Sequence, residues 1–272
     1  MKKRWIIPIA ILIVIVASCG IYVGQYYHTD PAVQSWIENT IADPDDANSE
    51  QGDASAVQGD ASDEQGETNI EPRGTNDTGA VQISEFSDGL LLDGPAEDTA
   101  FIFYPGAKVE YTAYAKLLYG LAESGAADCF LVKMPCNLAI LGKSKADGIM
   151  QSYSYKHWIL GGHSLGGAMA AIYAAEHDLD GLVLLAAYTT KEVDEPTLEI
   201  YGSEDGVLNM QKLRDGDKLY TQKPLHEVIE GGNHAQFGDY GEQKGDGKAT
   251  IAREKQQQIT IEKIESLINS VN

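Results

Sequence analysis

Basic residues are scarce in this sequence: 20 Lys and Arg stand against 41 Asp and Glu, a formal net charge of -21. Such a field repels phosphate backbones and anionic lipid surfaces, which argues against a nucleic-acid partner. Solubility alone accounts for the acidity, and no specific cationic ligand is needed. Cysteine is scarcer still, three in 272 residues, and Cys19 lies inside an apolar N-terminal run. Along a continuous strand Cys129 and Cys136 would stand roughly 23 Å apart. A disulfide needs Cα atoms about 5.5 Å apart, so both are expected unpaired, and this is no disulfide framework. No lysine follows the glycines around residue 162 as it would in a P-loop. No His–carboxylate spacing suggests a metal, Gly245-Asp246-Gly247 is too weak a motif to hold one, and no cofactor is implied.

What is present is an apolar fraction of 43%, enough for a real core, in a chain long enough for one sizeable domain with appendages. Met1-Lys2-Lys3-Arg4 opens on basic residues, and Trp5 to Val23 is almost continuously apolar. As a helix this run would span about 28 Å, close to the roughly 30 Å hydrocarbon core of a bilayer. Basic residues before it and acidic ones after it place the N-terminus inside and the rest outside. Trp5 at one end and Tyr22, Tyr26 and Tyr27 at the other suit the two interfaces. The run exceeds the apolar core of a cleavable signal peptide. A competing reading is a lipobox, Val16-Ala17-Ser18-Cys19, with lipid on Cys19; Gly20 to Val23 staying apolar favours the uncleaved helix. Residues 1–27 are therefore expected to form a membrane anchor, and residues 28–42 a short juxtamembrane segment with Asp30 as N-cap and Pro31 in the first turn. Residues 43–80 collapse to acidic and small polar types, with a near-repeat at Gln51 and Gln58, and should be a disordered spacer.

From residue 81 onward the pattern is regular. Val81, Ile83 and Phe86 nearly alternate with polar residues, and Ser87-Asp88-Gly89 turns the chain into Leu90 to Leu92, a hairpin signature. Apolar runs follow at Phe101–Tyr104, Phe130–Val132, His157–Leu160, Leu182–Leu185, Leu198–Tyr201 and His226–Ile229. Helix-like stretches lie between most of them, notably Tyr111–Glu123, Leu165–His177 and Thr250–Ile268. Apolar runs alternating with helices predict an α/β domain over 81–272, with an eight-stranded, mostly parallel sheet flanked by helices.

Gly162-His163-Ser164-Leu165-Gly166 falls between a strand and a small-residue helix, the context that gives G-x-S-x-G its meaning as a nucleophile elbow. The serine sits on a tight turn that lifts its hydroxyl above the sheet edge, and side chains at 162 and 166 would collide. The helix beginning at Leu165 aims its positive end at the site, where an oxyanion would develop.

On these residues the chain resembles the α/β-hydrolase superfamily from Val81 to its end. Tyr104–Tyr111, Gly161–Ala168, Gly231–Gly238 and Tyr26-Tyr27-His28-Thr29-Asp30 further resemble a group of bacterial membrane-anchored α/β hydrolases. The resemblance implies an α/β-hydrolase fold with the nucleophile after strand five, the acid after strand seven and the histidine after strand eight. Ser164, Asp205 and His234 follow the fifth, seventh and eighth runs. A serine hydroxyl needs a base to take its proton, and the base a carboxylate to orient it. Of the six histidines, only His234 lies on a loop just past the last strand. For the acid, Tyr201–Gly206 offers Glu204 and Asp205; Asp205 matches the family position and Glu204 is the fallback. The resemblance also implies an oxyanion hole of two backbone amides, Leu165 and, from Tyr104-Pro105-Gly106-Ala107-Lys108, Ala107.

Only Ala187 to Thr197 separates the sixth and seventh strands, so no cap domain fits. The loop from Ala235 to Lys248 is the longest in the domain and could bring Phe237 and Tyr240 to the site as aromatic walls. Lys108, Glu110 and Tyr111 could touch substrate, though helix-start solvation explains them equally well. Together these features predict an extracytoplasmic serine hydrolase for small-molecule acyl substrates, carboxylic esters first. Acyl transfer and thioester or amide cleavage are possible on the same triad. A non-catalytic surface binding module is the reading from outside enzymology.

Overall fold

The computed structural model describes residues 24–42 and 80–271. The expected membrane run at 5–23 and nearly all of the acidic stretch lie outside the described residues. Among the described residues no helix is long and apolar enough to cross a membrane.

Helix α1 (Pro31–Ala42) comes first, then β1 (Gln82–Phe86), β2 (Gly89–Asp93) and β3 (Thr99–Tyr104). They are followed by α2 (Ala115–Glu123), β4 (Asp128–Val132), α3 (Lys145–Ser152), β5 (His157–His163) and α4 (Leu165–Ala174). The chain closes with β6 (Gly181–Leu185), β7 (Thr197–Gly202), α5 (Met210–Gly216), β8 (Leu225–Ile229) and α6 (Arg253–Val271). The eight strands form one sheet in the order β1-β2-β4-β3-β5-β6-β7-β8. β1–β2 and β2–β4 are antiparallel, and every other pair is parallel.

Because strand side chains alternate between faces, β3 feeds two cores. Phe101 and Phe103 join the face covered by α1, α2 and α6, while Ala100, Ile102 and Tyr104 join the face covered by α3 and α4. All of β3, β4 and β6 is buried, as expected of central strands with helices on both sides. The parallel strands end together, so the loops after β3, β5, β6, β7 and β8 gather at one sheet edge, where open α/β sheets carry their ligands.

The segment before the acidic stretch is part of this body. Tyr27 pairs with Val109 as an isolated bridge, its N–H donating to Lys108 O at 2.6 Å and its carbonyl accepting from Glu110 N. Asp30 N–H donates to Asp239 O at 2.7 Å, the Thr29 and Thr112 hydroxyls are 2.6 Å apart, and Val33 and Ile37 are buried in the core. The acidic stretch therefore leaves the domain at Ala42 and returns to it at Ala80, with folded chain on both sides.

Candidate active site

Ser164 stands at the junction of β5 and α4 with φ 53 and ψ -119. A positive φ is costly for a residue with a Cβ and persists only where surroundings enforce it. The enforcement here is close approach of backbone. A Cβ on Gly166 would lie 2.1 Å from Tyr104 O and 2.4 Å from Pro105 O, and one on Gly162 would lie 2.6 Å from Gly166 C. Ser164 N–H donates to Leu185 O at 2.9 Å, tying the elbow to the end of β6. Leu165 is the first residue of α4, so its N–H has no acceptor within the helix.

Asp205 lies on the turn after β7. Its Oδ1 accepts from Val207 N and Leu208 N, each at 2.8 Å, which aims Oδ2 at His234 Nδ1, 2.8 Å away. Both side chains are 1% exposed. Glu204 is exposed and receives the Ser203 hydroxyl instead, so it is Asp205 that reaches the imidazole. The acid and base loops are adjacent because Gly202 has no side chain: a Cβ there would lie 2.2 Å from Gly232 O.

Ser164 and His234 line one cavity of about 250 Å³. Among the described residues His234 Nε2, the nitrogen not turned to Asp205, has no hydrogen-bond partner, the Ser164 hydroxyl included. Such bonds are commonly long before substrate binds and tighten in the complex. Leu165, Ala168, Ala186, Ala187, Tyr188, Val207, Leu208 and Asn209 complete the lining. Except for Leu165, these walls were not singled out in the sequence. They come from α4 and from the loops after β6 and β7, whose small and aliphatic residues look like ordinary turn and core positions.

Phe237 and Tyr240, expected as walls, turn inward instead. Phe237 is fully buried against His163, with ring centroids 5.6 Å apart, and Tyr240 packs on Tyr114 and Tyr27. Two aromatic rings gain more from joining the core than from edging water. Lys108 and Glu110 are likewise engaged, by the N-terminal segment: Thr29 N–H donates to Glu110 Oε2 at 3.0 Å. Tyr111 lies under the Lys133 ammonium.

Ala107 is not among the residues lining the cavity, although its loop presses on the elbow. Within this loop Gly106 N–H donates to the Tyr114 hydroxyl at 3.1 Å and Lys108 N–H to Asn137 O at 2.7 Å. The Tyr114 hydroxyl is also 2.8 Å from His163 Nδ1. Burial, then the neighbouring His234 ring, holds the His163 pKa well below its ordinary value, so His163 is a neutral spacer 4.4 Å from the His234 ring.

A second cluster lies on β7 and β8, away from this cavity. His226 Nδ1 is 3.0 Å from Glu199 Oε2 and its Nε2 is 3.1 Å from Asp217 Oδ1. These three are the group among the described residues that could gather around a metal ion, but each imidazole nitrogen already faces a carboxyl group, which accounts for the cluster without one.

The sequence model of the alpha/beta hydrolase family matches residues 100–258, from β3 into α6. No curated protein matches the chain by sequence. Among solved structures, a CIB-like hydrolase from Thermoplasma acidophilum aligns at TM-score 0.52 and 12% identity, over 69% of this chain and 99% of its own. Carboxyl esterase 2 from the mycorrhizal fungus Tuber melanosporum aligns at TM-score 0.51 and 12% identity, over 90% of this chain and 100% of its own. Mouse alpha/beta hydrolase domain-containing protein 10 aligns at TM-score 0.50 and 13% identity, over 71% and 100%. At such identities these likenesses carry the fold alone, whereas the family match spans more than half of the sequence. This chain belongs to the alpha/beta hydrolase family.

Proposed function

We propose that the protein is a serine hydrolase that cleaves small carboxylic esters through an acyl-enzyme on Ser164. One observation carries the reading: a serine on a strained elbow shares a cavity with an imidazole whose far nitrogen is held 2.8 Å from a buried carboxylate. In the first half-reaction the Ser164 oxygen bonds to the acyl carbon while its proton passes to His234 Nε2. That proton then goes to the departing alkoxide as the ester bond breaks. In the second, water gives a proton to Nε2 and its oxygen to the acyl carbon, and Ser164 leaves with the proton. Asp205 holds the Nε2-acceptor tautomer and stabilises the imidazolium.

The amides of Leu165 and Ala107 are assigned to the oxyanion. Within the loop after β3 the amides on either side of Ala107 are spent on Tyr114 and Asn137, which leaves the middle one to serve. The small apolar side chains around the cavity suit a short acyl group rather than a long chain.

We place the enzyme on the outer face of a membrane, held by the apolar run at Trp5–Val23. Retention of the full chain in membranes after alkaline extraction, with the domain open to external protease, supports this location; release or protection rejects it and leaves the chemistry untouched. Cys19→Ala releases a lipoprotein and leaves an uncleaved helix in place.

The chemistry is tested with a fluorophosphonate probe and esters of graded acyl length. Wild type should label and turn over short esters, and Ser164→Ala should do neither. Equal labelling of both proteins, or none of either, rejects the reading.

A further inference from the structure

Gly245-Asp246-Gly247 carries no metal motif, yet the structure gives its carboxylate an unusual set of partners. Asp246 Oδ1 accepts from Gly206 N at 3.1 Å, from His234 N at 3.2 Å and from Gly247 N at 2.8 Å. Its Oδ2 accepts from Ala235 N at 2.8 Å. Gly206 is the residue after Asp205, and Ala235 the residue after His234. One half-buried carboxylate therefore grips the main chain of the acid loop and of the segment around the base, from the far end of the same β8–α6 connection, a stretch that contributes no group to the cavity.

Gly206 and Gly247, one on each side of the contact, let that stretch come close to the acid loop. A Cβ on Gly206 would stand 2.6 Å from Gly245 O, and one on Gly247 would stand 1.9 Å from Glu204 O. Asn233 Nδ2 donates to Gly247 O at 2.8 Å, closing the contact from the base side.

We propose that Asp246 is the positioning residue for the Asp205–His234 couple. Resting on the serine-hydrolase reading, the inference is that one carboxylate sets the gap between the two loops and so holds the 2.8 Å approach of Asp205 Oδ2 to His234 Nδ1. Hydrogen bonds from backbone amides to a carboxylate are charge-assisted and stronger than neutral ones; those from Ala235 and Gly247 are short at 2.8 Å, and those from Gly206 and His234 longer at 3.1 and 3.2 Å. Two loops bound to the same oxygen cannot separate without breaking one of them. The charged and titratable groups facing His234 are Asp205 from the loop after β7, His163 from the end of β5, and Asp246. Tyr240 packs behind them under the influence of both carboxylates.

Asp246→Asn and Asp246→Ala separate geometry from charge in the full-length protein. Asn keeps an oxygen for Gly206 and His234 but offers Ala235 a donor; Ala keeps nothing. Both lose the charge. The rate of fluorophosphonate labelling per folded molecule should fall several-fold in Asp246→Asn and at least tenfold in Asp246→Ala, a graded loss. A low-field proton resonance from the His234 Nδ1–H should be sharp in wild type and broadened or lost in Asp246→Ala, a readout that requires no turnover. Labelling within twofold of wild type and an intact resonance overturn the proposal, even if melting temperature falls. A wild type that never labels, with the resonance still lost in Asp246→Ala, rejects the hydrolase reading and keeps the clamp.

Discussion

Ser164 with φ 53 is affordable only because Gly162 and Gly166 leave room for the backbone that bends around it. Gly166 meets the harder constraint, since the Tyr104 and Pro105 carbonyls are fixed by β3 and cannot swing aside. Gly166→Ala is expected to cost about 2–4 kcal/mol of stability, read by urea denaturation, and to slow labelling of the residual folded protein. Both glycines, the serine and the histidine past the last strand could be read from the sequence because each is tied to local backbone geometry. Asp205 is preferred to Glu204 on the family resemblance, with Glu204 as the fallback, because local pattern alone separates them poorly. They are neighbours on one turn, and only the direction of the loop after β8 decides which carboxylate meets the ring. Asp246 was invisible because three of its four partners lie 11 to 40 residues away, and all four are backbone amides, which any sequence supplies.

At the scale of elements, central strands were legible and short polar helices were not. The hairpin over Gln82–Asp93 closes on the two residues Ser87 and Asp88, with Phe86 opposite Gly89, as the turn residues foretold. The run at Phe101–Tyr104 is the core of β3, extended to Thr99 by pairing with β5. α3, by contrast, contains Gly148 and buries only Ala146 and Ile149, too little periodicity to announce a helix. β7 also carries a polar surprise. Glu199 is wholly buried, and burial, with the neighbouring Asp217 charge adding to it, lifts its pKa to about 7 even though the Tyr220 hydroxyl donates to it. A folded-state value above the unfolded one means that the protonated carboxyl favours folding. This stability is fully present below the ordinary carboxylate range near pH 4.5 and is lost as pH rises through 7. Glu199→Gln should therefore flatten the decline in melting temperature across that interval; an unchanged slope relative to wild type refutes the assignment.

Over the whole molecule, the sequence suggested a domain held off by an acidic spacer, with residues 28–42 as a separate piece. The packing of α1 alters that picture, since Val33 and Ile37 are as buried as strand residues, and Trp36 stacks edge-on against Tyr119 at 5.1 Å. An amphipathic dozen residues announces a helix but not what it will cover, because the covering face is assembled from α2 and the hairpin. A paired experiment follows. Ile37→Ala should lose about 2–4 kcal/mol, the usual cost of an aliphatic cavity. Replacing residues 43–79 with roughly ten Gly and Ser residues should change stability by no more than about 1–2 kcal/mol, since loop closure depends only logarithmically on length, and should leave ester turnover unchanged. Calorimetry of the two variants decides the matter: equal losses would deny that α1 belongs to the folded body.

The stitching of Tyr27 to Lys108 and Glu110, and of Asp30 to Asp239, also has a mechanical side. A load applied at the N-terminus enters the body at Tyr27, ahead of the acidic stretch, which would carry none of it. The first bonds to peel are those gripping the loop that holds Ala107 and the loop that continues from His234. Force on this segment would thus be delivered to the loops around the candidate site before it reaches the sheet.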